Sequence, residues 1–241
     1  MADFPIDPTV RQFASRFSDA GFSLYIVGGA VRDHLLKRIT SDYDFATDAL
    51  PDQIIRLFRS VIPTGIKHGT VTVLFKGHAF EVTTFRVEQE YQDHRRPESV
   101  QFVRSLEEDL ARRDFTINAL AVDAFTGSLY DHHRGLQDLK DRTIRAIGDP
   151  FKRFEEDALR ILRACRFASQ LDFVIESETQ RAMKALASTL KKISAERVKA
   201  ELCKILESPI PSRALFALHA CGALDLLLPE LTMGLGVTQR G

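Results

Sequence analysis

The stretch from Leu24 to Asp33, LYIVGGAVRD, constrains the fold more than any other part of the chain. An apolar, β-branched run ends at two glycines, and helix-compatible residues follow. This pattern predicts a strand, a tight turn and the start of a helix. Glycine lets a phosphate approach the backbone closely, and a helix N-terminus offers unpaired N–H groups. Gly28, Gly29 and Arg32 are therefore candidate phosphate-binding residues.

Two carboxylates, Asp42 and Asp44, follow this turn. Residues i and i+2 of a strand point to the same face, so both carboxylates should reach one spot. Hard Mg²⁺ with oxygen ligands stabilises such a pair. Two ions, about 3.5–4 Å apart, can activate an attacking oxygen and stabilise a leaving one. Because isolated Asp-x-Asp pairs are usually solvated surface residues, it is the neighbouring glycine turn that favours a nucleotide and metal site.

Four ordered motifs resemble one enzyme family. They are Gly28–Asp33, Asp42–Asp44, Arg112–Ala119 (RRDFTINA) and Glu156–Arg160 (EDALR). Together they resemble the tRNA nucleotidyltransferase and bacterial poly(A) polymerase family (class II), over about Phe22 to Leu206. The resemblance implies an α+β fold, with a DNA polymerase β-like head of mixed β-sheet and helices over residues 1–148. A helical neck and partial body over 149–241 would follow, with the tail of the longer relatives missing.

The resemblance also implies roles for individual residues of the head. Arg113 and Asp114 would hold the ribose, since a carboxylate can accept hydrogen bonds from its hydroxyls. Asn118 would also contact the nucleotide. Glu81, flanked by Phe80 and Val82, is the candidate for a third catalytic carboxylate. The alternative is that Glu81 is an ordinary outward-facing strand residue.

Base recognition is expected after Asp149-Pro150, which predicts the start of a helix. On that single helix, Asp157 and Arg160 would form a polar stripe beside an apolar one. The family uses its matching Asp and Arg as a protein template for cytosine and adenine, and Arg163 is a further nucleotide-binding candidate. A carboxylate can accept from an exocyclic amine, and arginine can donate to ring acceptors. The alternative is an i,i+3 helix salt bridge, worth only about 0.2–0.5 kcal/mol.

Two polar segments are candidates for function, one as a mobile loop and the other as an RNA-binding segment. Residues 86–100 have no hydrophobic period and predict a mobile loop, or alternatively a plain surface loop. Asp93, Arg95 and Arg96 match the charged core of the family's flexible loop. The second segment, 181–204, is locally basic although the whole chain has 33 basic and 33 acidic residues. Within it, Lys191, Lys192 and Arg197 could follow an RNA backbone, or could lie on a solvated helix face.

Several local patterns predict further elements. Asp7-Pro8 predicts a helix that buries Val10, Phe13, Ala14 and Phe17. Residues 71–75 and 79–85 predict a hairpin, and residues 51–58 predict a helix with Ile54, Ile55 and Phe58 facing the sheet. Cys165, Cys203 and Cys221 are too few and too scattered for a disulfide framework or a zinc site, and are expected to be buried free thiols.

The resemblance implies template-independent addition of CMP and AMP, from CTP and ATP, to the 3′ end of tRNA, with two Mg²⁺ ions. CC-only or A-only addition and poly(A) synthesis share the same motifs, and a non-catalytic tRNA-binding module is an alternative of a different class. The chain has no apolar run of about eighteen residues and no recognisable signal peptide. A cytoplasmic protein without membrane contact is therefore expected.

Overall fold

The computed structural model describes residues 4–38, 43–89, 99–234 and 236. These residues form two compact units. The head unit contains 4–38, 43–89 and 99–140, and the helical unit contains 141–234 and 236. Residues 141–148, which the sequence analysis assigned to the head, group with the helical unit. The reason is that Thr143 and Ile144 pair in parallel with Val174 and Ile175.

The head unit alternates helices with strands, which are as follows in chain order: α1 (Pro8–Asp19), β1 (Leu24–Val27), α2 (Gly29–Leu35), β2 (Asp44–Thr47), α3 (Pro51–Leu57), β3 (Val61–Gly65), β4 (Thr70–Phe75), β5 (His78–Thr84), β6 (Arg86–Gln89), β7 (Ser99–Phe102), α4 (Leu106–Ala111), β8 (Leu120–Asp123), β9 (Leu129–Asp131) and α5 (Gly135–Lys140). Short 3-10 turns occur at Ile66–His68 and Thr116–Asn118.

Seven of the described strands form one mixed sheet in the order β3-β4-β5-β2-β1-β8-β9. The β2–β5 pair is parallel, and the other neighbouring pairs are antiparallel. A mixed sheet with helices, followed by a helical unit, confirms the predicted α+β class. The central position of β1 and β2 places the end of the glycine-turn strand in the middle of the sheet.

One face of the sheet is packed against α1 through aromatic rings. The Phe13 ring lies 5.3 Å from Phe45 of β2 and 4.8 Å from Phe80 of β5, measured between ring centroids. The Asp7 carboxylate caps the helix by accepting from the Thr9 N–H at 2.7 Å. The four residues predicted to be buried on α1 are indeed buried. Since side chains alternate along a strand, residues next to Phe45 and Phe80 in sequence face the other side of the sheet.

Most local predictions in the head are confirmed. Strands β4 and β5 form the expected hairpin, whose turn residues Lys76 (φ 48°) and Gly77 (φ 82°) have positive φ. Both belong to the backbone region that favours glycine and suits a tight hairpin turn. Helix α3 buries Ile54, but Ile55 is 40% exposed, so the prediction that it faces the sheet is wrong. The two residues are adjacent, so their side chains point about 100° apart around the helix, and only Ile54 lies on the buried side.

Part of the segment expected to be an irregular loop is an ordered ribbon. Strands β6 and β7 pair antiparallel, with Arg86 opposite Phe102 and Val87 opposite Gln101. The expectation of no regular structure from 86 to 100 is therefore wrong at both ends. Polar strands lack an apolar period and are missed when only hydrophobicity is considered. Asp93, Arg95 and Arg96 lie outside the described residues.

The helical unit continues in chain order with β10 (Thr143–Ile144), α6 (Pro150–Glu156), α7 (Leu159–Leu171), β11 (Val174–Ile175), α8 (Ser177–Leu186), α9 (Ala195–Leu206), α10 (Pro211–Ala220), α11 (Ala223–Leu227) and α12 (Pro229–Thr232). Helix α7 is buried along most of its length and packs against α9 and α10. Cys165 and Cys221 are buried as expected, whereas Cys203 is exposed, so the prediction for Cys203 is wrong. In the described part of the chain, every helix is too short or too polar to cross a bilayer.

Replacing Phe13 by alanine should lower the free energy of unfolding of the head unit by about 3–5 kcal/mol. The side chain is completely buried and touches rings of α1, the sheet and the chain after α3, so its removal leaves a cavity. Urea unfolding followed by far-UV circular dichroism measures the loss. The control is Phe125→Ala, because Phe125 is 45% exposed in the same unit. Equal losses in the two variants would contradict this description of the core.

Candidate active site

The predicted glycine turn lies between β1 and α2. Gly28 has φ 72° and ψ −133°, a conformation that residues with a Cβ rarely adopt. A Cβ built on Gly28 would lie 3.2 Å from Nη1 of Arg113. Gly29 is the first residue of α2, and the Arg32 N–H donates to the Gly28 carbonyl at 3.3 Å. The turn therefore brings bare backbone next to a guanidinium, which is a suitable environment for a phosphate.

Arg32 is buried in polar contacts within the head unit. Its Nε and Nη2 donate to the two oxygens of Asp33 at 2.9 and 2.8 Å, and its Nη1 donates to Asn118 Oδ1 at 2.7 Å. The Asn118 amide in turn donates to Asp114 Oδ1 at 3.1 Å. These contacts connect the helix after the glycine turn to the Arg-Arg-Asp motif. Direct phosphate binding by Arg32 stays a prediction; the contacts show that it orients Asn118.

The Arg-Arg-Asp motif is organised by a buried carboxylate, Asp109 of α4. Asp109 Oδ1 accepts from Arg112 Nε at 2.9 Å, and Oδ2 lies 3.4 Å from Arg113 Nη2. The Arg86 N–H, at the start of β6, also donates to Oδ1 at 3.3 Å. Burial alone would raise the pKa of Asp109, but Arg112 and Arg113 outweigh it and the pKa is lowered. Burial lowers the pKa of Arg113.

The aspartate of the motif, Asp114, is also buried, and its Oδ1 accepts from the Phe115 N–H at 2.8 Å.

Two acidic residues stand side by side at the centre of the sheet. The parallel register of β2 and β5 pairs Asp44 with Glu81, and both are exposed on the face opposite the aromatic cluster. The antiparallel register of β1 and β2 pairs Asp44 with Val27, the residue immediately before Gly28. Partial burial and the Asp44 carboxylate raise the pKa of Glu81, with Arg86 opposing the shift. The two carboxylates therefore lie in a row on one side of the end of the glycine-turn strand.

This acidic pair suits a hard cation such as Mg²⁺. Carboxylate oxygens are the ligands that Mg²⁺ prefers, and a cation relieves the repulsion between Asp44 and Glu81. Asp42, the other predicted ligand, lies outside the described residues. Within the residues that the structure describes, no group of three or more His, Cys, Asp or Glu side chains could hold a metal. Asp44 and Glu81 as metal ligands stay a prediction, in which they would supply two of the donors of a complete site.

The predicted base-reading pair occurs at a break between two helices. Asp157 has φ −148° and ψ 103°, which is extended geometry, so the expectation of one continuous helix and polar stripe is wrong. At the break, Asp157 Oδ1 accepts from the Leu159 N–H at 3.1 Å, as a capping side chain does at the start of a helix. Asp157 Oδ2 pairs with Arg197 at 2.7 Å. Arg160 pairs with Glu156 at 2.5 Å and donates to the Arg153 carbonyl at 2.9 Å.

The remaining candidates of the helical unit differ in exposure. Lys191 and Lys192 are exposed at the end of the 3-10 turn Ala187–Lys192 and are available to an anionic partner. Arg197, predicted beside them as an RNA contact, is half-buried and engaged with Asp157. The guanidinium carbon of Arg163 lies 5.5 Å from the centre of the Phe167 ring. Arg197 is therefore held by an acidic residue of the same unit, whereas Lys191 and Lys192 are exposed.

Two carboxylates that form ion pairs with motif arginines were not predicted from the sequence. Asp109 precedes Arg112 and Arg113 by three and four positions, and Glu156 precedes Arg160 by four. These are the spacings at which charged side chains meet on a helix, so the signal was present. It went unused because roles were assigned to the motif arginines and aspartates, whereas Asp109 and Glu156 were given none.

Comparison with known proteins shows the family. The family model described as the poly A polymerase head domain matches residues 24–145, about half of the chain. The chain belongs to the tRNA nucleotidyltransferase and bacterial poly(A) polymerase family. A second model, for a probable RNA and SrmB-binding site of polymerase A, matches residues 172–235 of this family member. The predicted family is thereby confirmed.

Individual relatives agree with this assignment. The CCA-adding enzyme of Lactobacillus helveticus is 56% identical over 187 residues, which is 78% of this chain and 47% of the relative. A crystal structure of the Bacillus stearothermophilus CCA-adding enzyme in complex with CTP has a TM-score of 0.83 and 43% identity, over 90% of this chain and 53% of that one. The Thermotoga maritima CCA-adding enzyme complexed with tRNA_CCA has a TM-score of 0.77 and 28% identity, over 95% and 57%. The family member described here spans about half the length of these proteins.

Neutralising Glu81 should reveal its repulsion with Asp44. Because the folded state raises the pKa of Glu81, the ionised carboxylate destabilises the fold above that pKa, and the effect disappears below the ordinary value of about 4.3. In metal-free buffer at pH 7, Glu81→Gln should therefore raise the free energy of unfolding by about 0.2–0.5 kcal/mol. The gain should fade as the pH is lowered through the raised pKa towards 4.

Added Mg²⁺ should stabilise the wild type more than Glu81→Gln, as measured by the shift in thermal midpoint. The matched control is Glu107→Gln, because Glu107 is exposed in α4 of the same unit. This control should respond to Mg²⁺ as the wild type does. Identical Mg²⁺ shifts in all three proteins would exclude Glu81 as a metal ligand.

Proposed function

We propose that the protein adds CMP and AMP, from CTP and ATP, to the 3′ end of tRNA without a nucleic-acid template. The observation that carries the proposal is the register Val27–Asp44–Glu81, which sets two carboxylates beside the glycine turn. The relatives named CCA-adding enzymes support the choice of substrates. Since those substrates are cellular nucleoside triphosphates and tRNA, we infer that the protein acts in the cytoplasm.

In the proposed reaction, the 3′-hydroxyl oxygen of the tRNA attacks the α-phosphorus, and the bond to the pyrophosphate oxygen breaks. Asp42, Asp44 and Glu81 would hold the Mg²⁺ ions. When bound, the ions would lower the pKa of the attacking hydroxyl and neutralise charge on the triphosphate. The backbone at Gly28 and Gly29 would receive the phosphates, with Arg113 beside it. Arg32 would keep Asn118 and Asp114 in place for the ribose.

In the helical unit, Asp157 and Arg160 would read the base. A carboxylate accepts from the amines of cytosine and adenine and repels the carbonyls of uracil and guanine. Each side chain is held by an ion pair: Asp157 pairs with Arg197, and Arg160 pairs with Glu156. We infer that Lys191 and Lys192, which lie within the segment matched by the RNA-binding model, contact the tRNA backbone.

The activity is tested with labelled CTP or ATP and three tRNAs: one lacking CCA, one ending in a single C and one ending in CC. Completion of all three ends supports the proposal. CC-only or A-only addition would restrict it to one of those activities, and extension of an oligo(A) primer would favour poly(A) synthesis. Binding of tRNA without incorporation would instead indicate a non-catalytic module.

Replacing Asp44 with asparagine should lower incorporation at least about a hundredfold, because a neutral amide is a poor Mg²⁺ ligand and metal stabilisation of the transition state is lost. Single-turnover incorporation of CMP measures the effect, and circular dichroism checks that the fold is retained. The control is Asp52→Asn, at an exposed position of α3. Full activity of Asp44→Asn would remove the proposed metal site.

Arg197→Gln should relax base choice because it releases Asp157 Oδ2 from its partner. We expect the preference for CTP over UTP to fall about three- to tenfold, a cost of about 0.7–1.4 kcal/mol. Competition between the two labelled triphosphates gives this ratio. Arg213→Gln is the matched control, since Arg213 pairs with Asp172 at 2.7 Å in the same unit. If both variants keep the wild-type ratio, Arg197 does not position Asp157 for base reading.

A further inference from the structure

The exposed face of the sheet continues beyond Glu81 into strands β4 and β3. In the antiparallel register, Thr72 of β4 lies opposite Glu81, and Ile62 of β3 lies opposite Thr72. Val71 and Val73, which flank Thr72 in sequence, are completely buried. Because side chains alternate along a strand, Thr72 shares the exposed face with Glu81. The row that runs from the glycine turn through the two acidic residues therefore continues over two more strands.

The Thr72 hydroxyl is held by a second threonine. Its Oγ1 lies 3.1 Å from Oγ1 of Thr64, on β3, and either oxygen can be the donor. Thr64 is exposed and Thr72 is half-buried. Two hydroxyls carry two hydrogens and use one of them between themselves, so the pair has one donor and several lone pairs left for a ligand. This pair suits a group that both donates and accepts, such as a sugar hydroxyl.

Two exposed aliphatic side chains lie beside the hydroxyl pair. Ile62 is 46% exposed, and Leu74, two residues after Thr72 on β4, is 44% exposed. Ile62, Thr64, Thr72 and Leu74 are called the β3–β4 platform below. Its aliphatic side chains can cover the apolar part of a nucleoside whose sugar is hydrogen-bonded next to them. The β3–β4 platform thus has the chemistry of a nucleoside site and adjoins the acidic pair.

The direction of the proposed transfer decides which side of the acidic pair the acceptor occupies. In phosphoryl transfer, the attacking and leaving oxygens lie roughly in line on opposite sides of the phosphorus. In the proposed reaction the pyrophosphate leaves towards the glycine turn, at the β1 end of the row. The attacking hydroxyl must therefore come from the other end, over β5 and β4, where Glu81 and Thr72 lie.

The spacing of Glu81 and Thr72 matches the two adjacent hydroxyls of a ribose. Residues directly opposite each other in an antiparallel pair have Cβ atoms about 4.5–5.5 Å apart. The 2′- and 3′-hydroxyls are on neighbouring carbons, so a 3′-oxygen placed at Glu81 brings the 2′-hydroxyl within reach of Thr72. The 2′-hydroxyl both donates and accepts, and it is the group by which a protein distinguishes RNA from DNA.

We propose that the β3–β4 platform binds the terminal ribonucleotide of the RNA that is extended, with the Thr72 hydroxyl bonded to its 2′-hydroxyl. Thr64 holds the Thr72 hydroxyl in place, and Ile62 and Leu74 pack against the nucleoside. The inference rests on the proposed function, because the direction of the transfer sets the position of the acceptor. Thr72 is then a specificity residue for the RNA end, whereas Asp157 and Arg160 select the incoming nucleotide.

The test measures single-turnover incorporation of labelled CTP by the full chain on two acceptors. One is a tRNA ending in a single C with a terminal ribose, and the other carries 2′-deoxyribose at that nucleotide. Thr72→Val keeps the β-branched shape that suits a strand and removes the hydroxyl. It should slow incorporation about three- to tenfold on the ribose acceptor and less than about twofold on the 2′-deoxy acceptor, because only the first loses a hydrogen bond. Thr72→Ser, which keeps a hydroxyl, should retain most of the preference for ribose.

The matched control is Thr70→Val. Thr70 lies on the same strand and face as Thr72, and its hydroxyl pairs with that of Thr83 at 3.0 Å. Because Thr70 is one row further from the acidic pair, its loss should affect the two acceptors equally. Circular dichroism checks that each variant is folded.

A defect of folding or of general RNA binding lowers both acceptors alike, so the ratio between them isolates the contact. An unchanged preference for ribose in Thr72→Val, or the same selective loss in Thr70→Val, would overturn the assignment of the β3–β4 platform while leaving the transferase proposal intact. Failure of the wild type to extend the ribose acceptor would instead overturn the transferase proposal, and the assignment of the β3–β4 platform with it.

Discussion

Main-chain pairing between β1, β2 and β5 fixes the geometry on which the candidate site depends. The pairing places Val27, Asp44 and Glu81 in one row across the sheet, so main-chain register alone brings the glycine turn and the two carboxylates together. The opposite face is filled by Phe13, Phe45 and other rings. Because a shift of one residue in a strand moves every side chain to the other face, the aromatic core also determines where the carboxylates point.

A buried series of side-chain hydrogen bonds also stabilises the site. Arg32 and Asn118 are 86 positions apart, yet they are joined by a 2.7 Å hydrogen bond, and Asn118 continues to Asp114. Removing such groups from water is costly, and the cost is offset only when every member finds a partner. This explains why the motif residues at 28–33 and 112–119 belong together physically: each supplies the partners that the other requires.

Much of the head could be predicted from sequence because local rules govern it. The Asp7-Pro8 cap, the helical spacing of Phe13 and Phe17, and the Lys76–Gly77 turn each act within a few residues. The break at Asp157 could not be predicted from periodicity, because the apolar spacing continues through it while a single carboxylate caps the next helix. Nor does a sequence alone give the register that pairs Asp44 with Glu81.

In the helical unit, the exposure of Cys203 and the pairing of Arg197 depend on how α9 faces its neighbours. Such orientations follow from long-range packing, and the amino-acid composition does not reveal them. The resemblance to a known family supplied the candidate residues, whereas the three-dimensional arrangement supplied their partners. Asp109 and Glu156 illustrate the difference, since both hold arginines that the motifs identified.

The oxygen of Asp109 that accepts from Arg112 is shared with the main chain of Arg86, where the ribbon of β6 and β7 begins. A tilt of the ribbon that withdraws the Arg86 N–H would leave the buried carboxylate to the arginines alone and tighten its hold on them. The start of the ribbon and the Arg-Arg-Asp motif therefore depend on the same buried carboxylate. A change at the first residue of β6 would alter the contacts of Asp109, whose other oxygen lies 3.4 Å from the Arg113 guanidinium beside Gly28.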